Sequence, residues 1–149
     1  MQFMFKTILT SAVIFFSATA AFATELTPGN IVGRYNVTAK AGFQKVYVKF
    51  RVVNTREFEI QRTYPDGHSD EECNGTYNLT NSFYLNEYAI LAANKTFKGI
   101  FTCPSDRNKK IDFNIDFGDT TVEDLVKGTT VTVTTSMAPI KLSAYVKKQ

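Results

Sequence analysis

Apolar and polar side chains alternate with a period of two along nearly the whole chain after residue 30, and the alternating stretches are separated only by short runs of turn-forming residues. A period of two belongs to strands with one dry face and one wet face. Val46, Val48, Phe50 and Val52 share a face opposite Lys45, Tyr47, Lys49 and Arg51. Ile111, Phe113, Ile115 and Phe117 alternate strictly with Asp112, Asn114 and Asp116. The same pattern turns Ile31, Gly33, Tyr35 and Val37 inward on a first strand, Phe58 and Ile60 on a third, and Ile140, Leu142, Ala144 and Val146 on the last. Parallel neighbours need crossovers of a dozen residues or more, which the chain lacks, so these strands pair as an antiparallel meander.

Turns are expected at Lys40-Ala41-Gly42, Asn54-Thr55, Pro65-Asp66-Gly67, Thr80-Asn81-Ser82, Asn94-Lys95, Pro104 to Asn108 and Ser136 to Pro139. They leave a fourth strand bearing Cys73, Gly75, Tyr77 and Leu79, a fifth from Phe83 to Ala92, and a sixth bearing Phe97, Gly99, Phe101 and Cys103. The fifth breaks its alternation near Asn86-Glu87, which a β-bulge or two short strands would explain. Thr120 to Lys127 changes period: Thr120 with Glu123, or Thr121 with Asp124, forms a capping pattern ahead of Leu125-Val126, and Gly128 stands at the C-cap position. One short helical turn near 120–127 is expected there. The fold class is therefore all-β, with about eight or nine antiparallel strands closed as a barrel, because closure removes the exposed edges that invite aggregation. A two-sheet sandwich is the alternative.

Residues 1–23 read as a signal peptide: Lys6 supplies the positive start, Ile8 to Phe16 the apolar core, and Ala21-Phe22-Ala23 the cleavage pattern. The chain is expected to be secreted or periplasmic, without a membrane anchor. Residues 24–149 form a single domain of a size that sustains its own core. The formal charge is +3, of which the leader holds only Lys6. Acids and bases alternate along the strands with no basic stripe evident, so nucleic acid is not expected as a partner. Lys147-Lys148 reads as a solubilising end. Two cysteines in an exported chain imply a Cys73–Cys103 disulfide. Two thiols and the single histidine fall short of a closed zinc site, and no metal or cofactor is expected.

Catalysis finds little support. His68 has Ser69 and Asp70 beside it in one loop, whereas a catalytic triad converges from separate elements. Asp112, Asn114 and Asp116 resemble the start of a calcium loop, but the interleaved Phe113 and Ile115 demand a buried face. Glu57, Glu59, Glu87, Asp112 and Asp116 offer no spacing that singles out a carboxylate pair. Asn36, Asn74, Asn78 and Asn94 each open an Asn-x-Thr triplet, incidental in a chain rich in Asn and Thr. Asp66, His68 and Asp70 mark the most charged loop and are the candidate partner-contact residues. The inward aromatic set, Tyr35, Phe50, Phe58, Tyr77, Phe101 and Phe113, reads either as a filled core or, with Gly33, Gly75 and Gly99, as the lining of a cavity for one apolar ligand. In the second case the hydroxyls of Tyr35 and Tyr77 would be its polar handles.

A leader, Gly33-Arg34-Tyr35 on the first strand, a run of meander strands and a barrel-spanning disulfide together resemble the lipocalin and calycin group of small barrels. Lipocalins usually carry Gly-x-Trp there, with a late arginine packed over the tryptophan. Here Tyr35 takes the tryptophan's place and the last strand offers only lysines. The resemblance implies binding of a small apolar molecule in the interior, or occasionally of a protein, and no catalysis; the chain is expected to be a monomer. The alternative is a module that recognises a protein or glycan through its loops, for instance an inhibitor of a secreted hydrolase.

Overall fold

The computed structural model describes residues 23–149 apart from 86, 90 and 137, and of 84, 91–93 and 139 only the backbone. The signal-peptide reading therefore falls almost wholly outside the described residues. Eight strands follow one another around a closed antiparallel barrel. They are β1 (Gly33–Ala41), β2 (Gln44–Val52), β3 (Glu57–Thr63), β4 (Cys73–Leu85), β5 (Leu91–Cys103), β6 (Asp106–Gly118), β7 (Thr129–Thr135) and β8 (Ala138–Lys148). Closure comes from β8 lying against β1, with Tyr35 opposite Lys148 and Ala39 opposite Ala144.

Among the described residues one helix, α1 (Val122–Lys127), bridges β6 and β7. Of the two capping patterns the second forms: the Thr121 hydroxyl accepts from the Asp124 amide at 3.2 Å, and the Asp124 carboxylate accepts from the Thr121 amide at 3.0 Å. Gly128 ends the helix at φ 97°, a left-handed value that glycine tolerates.

The middle of the chain departs from the expected segmentation. Thr80-Asn81-Ser82 makes no turn; β4 runs through it to Leu85, pairing with β5 from Asn74–Thr102 to Leu85–Leu91. Asn94-Lys95 likewise lies inside β5, next to a register shift between Lys95 and Thr96. The parity break near residue 86 is neither a bulge nor a pair of short strands but the reversal of one long hairpin. The physical reason is where that hairpin ends. β3 pairs with β4 only as far as Thr76, and β6 leaves β5 at Lys95, which lies opposite Asn81, so past Asn81 and Lys95 the hairpin stands clear of the barrel. With no core beneath it, its sequence has no reason to keep one face apolar, and Phe83, Leu85 and Tyr88 are all largely exposed.

Two smaller corrections follow. Pro104 to Asn108 is not a full loop, since β6 already starts at Asp106. Ile140, expected inward, lies at the barrel's rim and is half exposed.

Candidate functional site: the barrel interior

The end of the barrel where β1 begins is plugged. Residues Thr24 to Val32 cross it, sinking Leu26 and Ile31 against Leu125 of α1, each at most 2% exposed. The segment is fastened to α1 by the Val122 amide donating to the Thr24 carbonyl at 3.0 Å, and by Glu123. The Glu123 carboxylate accepts from the Thr24 amide at 3.0 Å and from its hydroxyl at 2.6 Å. These bonds, the hydroxyl's foremost, hold the Glu123 carboxyl down at about 2.

Beside the plug the interior is filled. Phe58 and Phe97 are sealed from solvent, Phe97 stacks on Tyr77 at 4.4 Å between ring centroids, and Phe58 meets Phe50 at 5.3 Å and Phe113 at 5.4 Å. Gly75 and Gly99 sit under these rings. A Cβ on Gly75 would come 2.2 Å from the Ile100 carbonyl oxygen and 2.6 Å from the Phe58 ring, and one on Gly99 would come 2.8 Å from the Phe113 ring. Their smallness therefore admits aromatic rings and not a ligand, a correction to the reading of these glycines as cavity lining.

The rest of the interior is hollow. A cavity of about 340 Å³ runs from Ile31 and Leu125 at the plug to Ala39, Ile111 and Thr135 toward the open end. Of the expected lining, Tyr35, Phe50, Phe101 and Phe113 border it; Phe58 and Tyr77 do not, being part of the filled side. Most of the wall is aliphatic, contributed by Val37, Val48, Ile60, Val133, Ala144 and Val146. These residues are legible in the sequence as inward positions, but nothing in the alternation separates an inward side chain that meets another from one that meets empty space.

The tyrosine hydroxyls are not free handles. Tyr35 donates to the Ile31 carbonyl at 2.6 Å and Tyr77 to the Asn54 carbonyl at 2.8 Å. Burial, followed by the neighbouring Tyr77, pushes the Tyr35 hydroxyl up to about 12, so it stays a neutral donor. The remaining hydroxyl on the wall, Thr135, donates to the Asp112 carbonyl at 2.8 Å. At the plugged end Lys148 places its Nζ 5.9 Å from the Tyr35 ring centroid and donates to the Asn30 carbonyl at 3.2 Å. A late cation thus covers the aromatic ring of the first strand.

The disulfide joins neighbours. Cys73 and Cys103 face each other across β4 and β5 with Cα atoms 4.4 Å apart, the spacing of a non-hydrogen-bonded cross-strand pair. It neither spans the barrel nor skips a strand, because the extra strand expected between its two ends does not exist. Glu71 lies within 4.8 Å of both sulfurs, the one metal-like grouping among the described residues, but sulfurs joined to each other supply no thiolate.

The charged loop lies at the open end. Arg62 covers the Tyr64 ring at 4.7 Å and His68 stacks against the same ring at 4.0 Å. Asp66 bonds the His68 amide and ring, and Asp70 accepts from the Tyr64 hydroxyl at 3.0 Å. The three candidate contact residues thus hold the loop's own shape while staying exposed. The turn after β5 joins them, since Glu71 accepts from the Ser105 amide at 3.1 Å and from its hydroxyl. Asp112 and Asp116 point outward on β6 and bind Ser136 and the Gly118 amide, a strand arrangement in place of a calcium loop.

Comparison of the chain with protein-family models, with curated proteins and with solved structures returns no match in any of the three.

Proposed function

We propose that this chain is an exported carrier barrel that holds one small apolar molecule in its interior, and that it is a distant relative of the lipocalin and calycin group. The observation that carries the reading is the 340 Å³ cavity beside a filled aromatic half. Interiors are ordinarily packed to crystal-like density, and ligand sites begin at roughly 300 Å³. A benzene-sized guest occupies an engineered cavity of about 150 Å³, so by proportion this one takes on the order of a dozen heavy atoms. The wall's hydroxyls all serve backbone carbonyls, so selection is by shape and apolarity, with any polar end of the guest directed to the open rim. Lys148 over Tyr35 supports the proposed kinship, and the disulfide suits the oxidising compartment that an exported chain enters.

Native mass spectrometry of the protein purified from its source, together with displacement of an apolar fluorophore, tests the proposal. One molecule bound per chain, released when the protein unfolds, is the expected result. A chain that carries nothing and takes up no fluorophore would refute it.

A second reading, contact with a secreted protein through the open-end loops, draws on the exposed Arg62–Tyr64–His68 stack and its tie to Ser105 through Glu71. Replacing Asp66, His68 and Asp70 with alanine should abolish partner capture at unchanged cavity binding.

A further inference from the structure

Closure of the barrel creates a surface that no single strand displays. β8, β1 and β2 are neighbours and hold no Asp or Glu. On their outer face stand Lys141 and Lys147 of β8, Arg34 and Lys40 of β1, and Lys45, Lys49 and Arg51 of β2. This corrects the reading that the chain has no basic stripe: the strands that form it lie at opposite ends of the sequence. Lys40 sits directly opposite Lys45, and Arg34 opposite Arg51. Like charges in register across a strand pair destabilise a sheet, so folding gives no reason to keep them. Among the described residues the only salt bridge any of the seven makes is Arg51 to Glu59 at 3.4 Å.

The wall is furrowed as well as charged. One concavity of about 370 Å³ is edged by Asn36, Thr38, Tyr47, Lys49, Thr63 and Tyr64, and a second of about 230 Å³ adds Arg34, Arg51, Glu59, Gln61 and Glu72. They share Asn36 and Lys49, which makes one trough along the outside of β2. Lys147, Asn36, Lys49 and Gln61 lie in register across four strands, alternating cation and amide over about 14 Å at the usual strand spacing.

We propose that this trough binds an acidic polysaccharide, a chain bearing carboxylate or sulfate groups among free hydroxyls. The cations meet the anionic groups. Asn36, Gln61, Thr38 and Thr63 suit the hydroxyls, and Tyr47 offers a partly exposed aromatic ring for a sugar face. Glu59 and Glu72 decide the class. Their carboxylates accept from sugar hydroxyls, donors that a nucleic-acid backbone offers sparsely, and the oligonucleotide arm of the test separates the two polyanions. Exposed apolar side chains also border this wall, Phe43 at the β1–β2 turn and Tyr47 and Tyr145 in register across it through Thr38, and the vesicle arm of the test separates a bilayer from a polysaccharide.

The test uses heparin, a sulfated uronate polymer, against neutral dextran, a single-stranded oligonucleotide and vesicles of anionic lipid. The full protein should bind heparin with an affinity that falls steeply between about 50 and about 200 mM salt, and should ignore dextran. Lys45→Gln with Lys49→Gln should weaken heparin binding at least tenfold, while Lys98→Gln with Lys110→Gln, equal in charge but on the β5–β6 wall, should change it less than about twofold. Because Lys45→Gln relieves the clash with Lys40, the wall variant should melt no lower than the parent. If it does melt lower, Arg34→Gln with Lys147→Gln poses the same question from the other two strands. Equal losses in the two charge-matched pairs, no heparin binding at all, or tighter binding of the oligonucleotide or vesicles would each overturn the proposal.

Discussion

Ala144→Leu separates a ligand cavity from a packing fault. Ala144 is fully buried at the centre of β8, opposite Ala39 and Val131, and its side chain borders the hollow part of the interior. Leucine adds three carbons there. At about 0.8 kcal/mol for each buried carbon the gain is bounded by ~2.4 kcal/mol, and misfit of the branched end offsets up to about 1 kcal/mol of it. A net stabilisation of roughly 1 to 2 kcal/mol raises Tm by about 4 to 8 °C in a domain of this size. The same three carbons consume about a fifth of the 340 Å³, since guest atoms need on the order of 25 Å³ each. A guest that fills the site loses its place, and its affinity falls at least tenfold, about 1.4 kcal/mol. The assay pairs thermal unfolding with titration of an apolar fluorophore. A rise in Tm with undiminished fluorophore binding would show that the guest sits elsewhere. A loss of stability by more than about 1 kcal/mol, the cost of overpacking a filled core, would show that the space is not open in solution, and the reasoning from the cavity would fail.

Four further outcomes are expected. Replacing Cys73 and Cys103 with serine releases a loop of 30 residues, for which the chain-entropy relation gives about 3.6 kcal/mol; urea denaturation showing a loss under about 1 kcal/mol would contradict it. Gly75→Ala drives a Cβ into the Ile100 carbonyl and the Phe58 ring, so a destabilisation of about 3 kcal/mol or more is expected in the same measurement. The Tyr35 hydroxyl titrates at about 12 in the folded chain, against 10.0 for an unperturbed tyrosine. Folding favours its protonated form, so that stability is whole below pH 10 and is lost as pH rises through 12; Tyr35→Phe should flatten the alkaline limb of Tm against pH. Glu123 is displaced the other way, to about 2 from 4.5, so its contribution is present above pH 4.5 and is lost as pH falls toward 2, and Glu123→Gln should remove that part of the acid limb.

The residues by themselves determined the fold class, the antiparallel meander, the inward identity of Tyr35, Phe50, Phe97 and Phe113, and a capped helical turn within 120–127, though not which threonine caps it. Each depends on local chemistry: a strand half in water repeats every two residues, and a cap needs its acceptor three residues from its donor. The Cys73–Cys103 pairing was legible too, because only two cysteines were available. What the tertiary structure alone decided is non-local. Polar Thr80-Asn81-Ser82 reads as a turn until β3 is seen to stop short of it and β6 to end level with it, where the hairpin leaves the barrel. Inward side chains become core or cavity according to which rings arrive from other strands, as Phe58 and Phe113 do over Gly75 and Gly99. The basic wall needs β8 beside β1, two segments separated by most of the chain. Alternation records which way a side chain points; only closure of the barrel sets what it meets there, and both the cavity and the charged wall are made of those meetings.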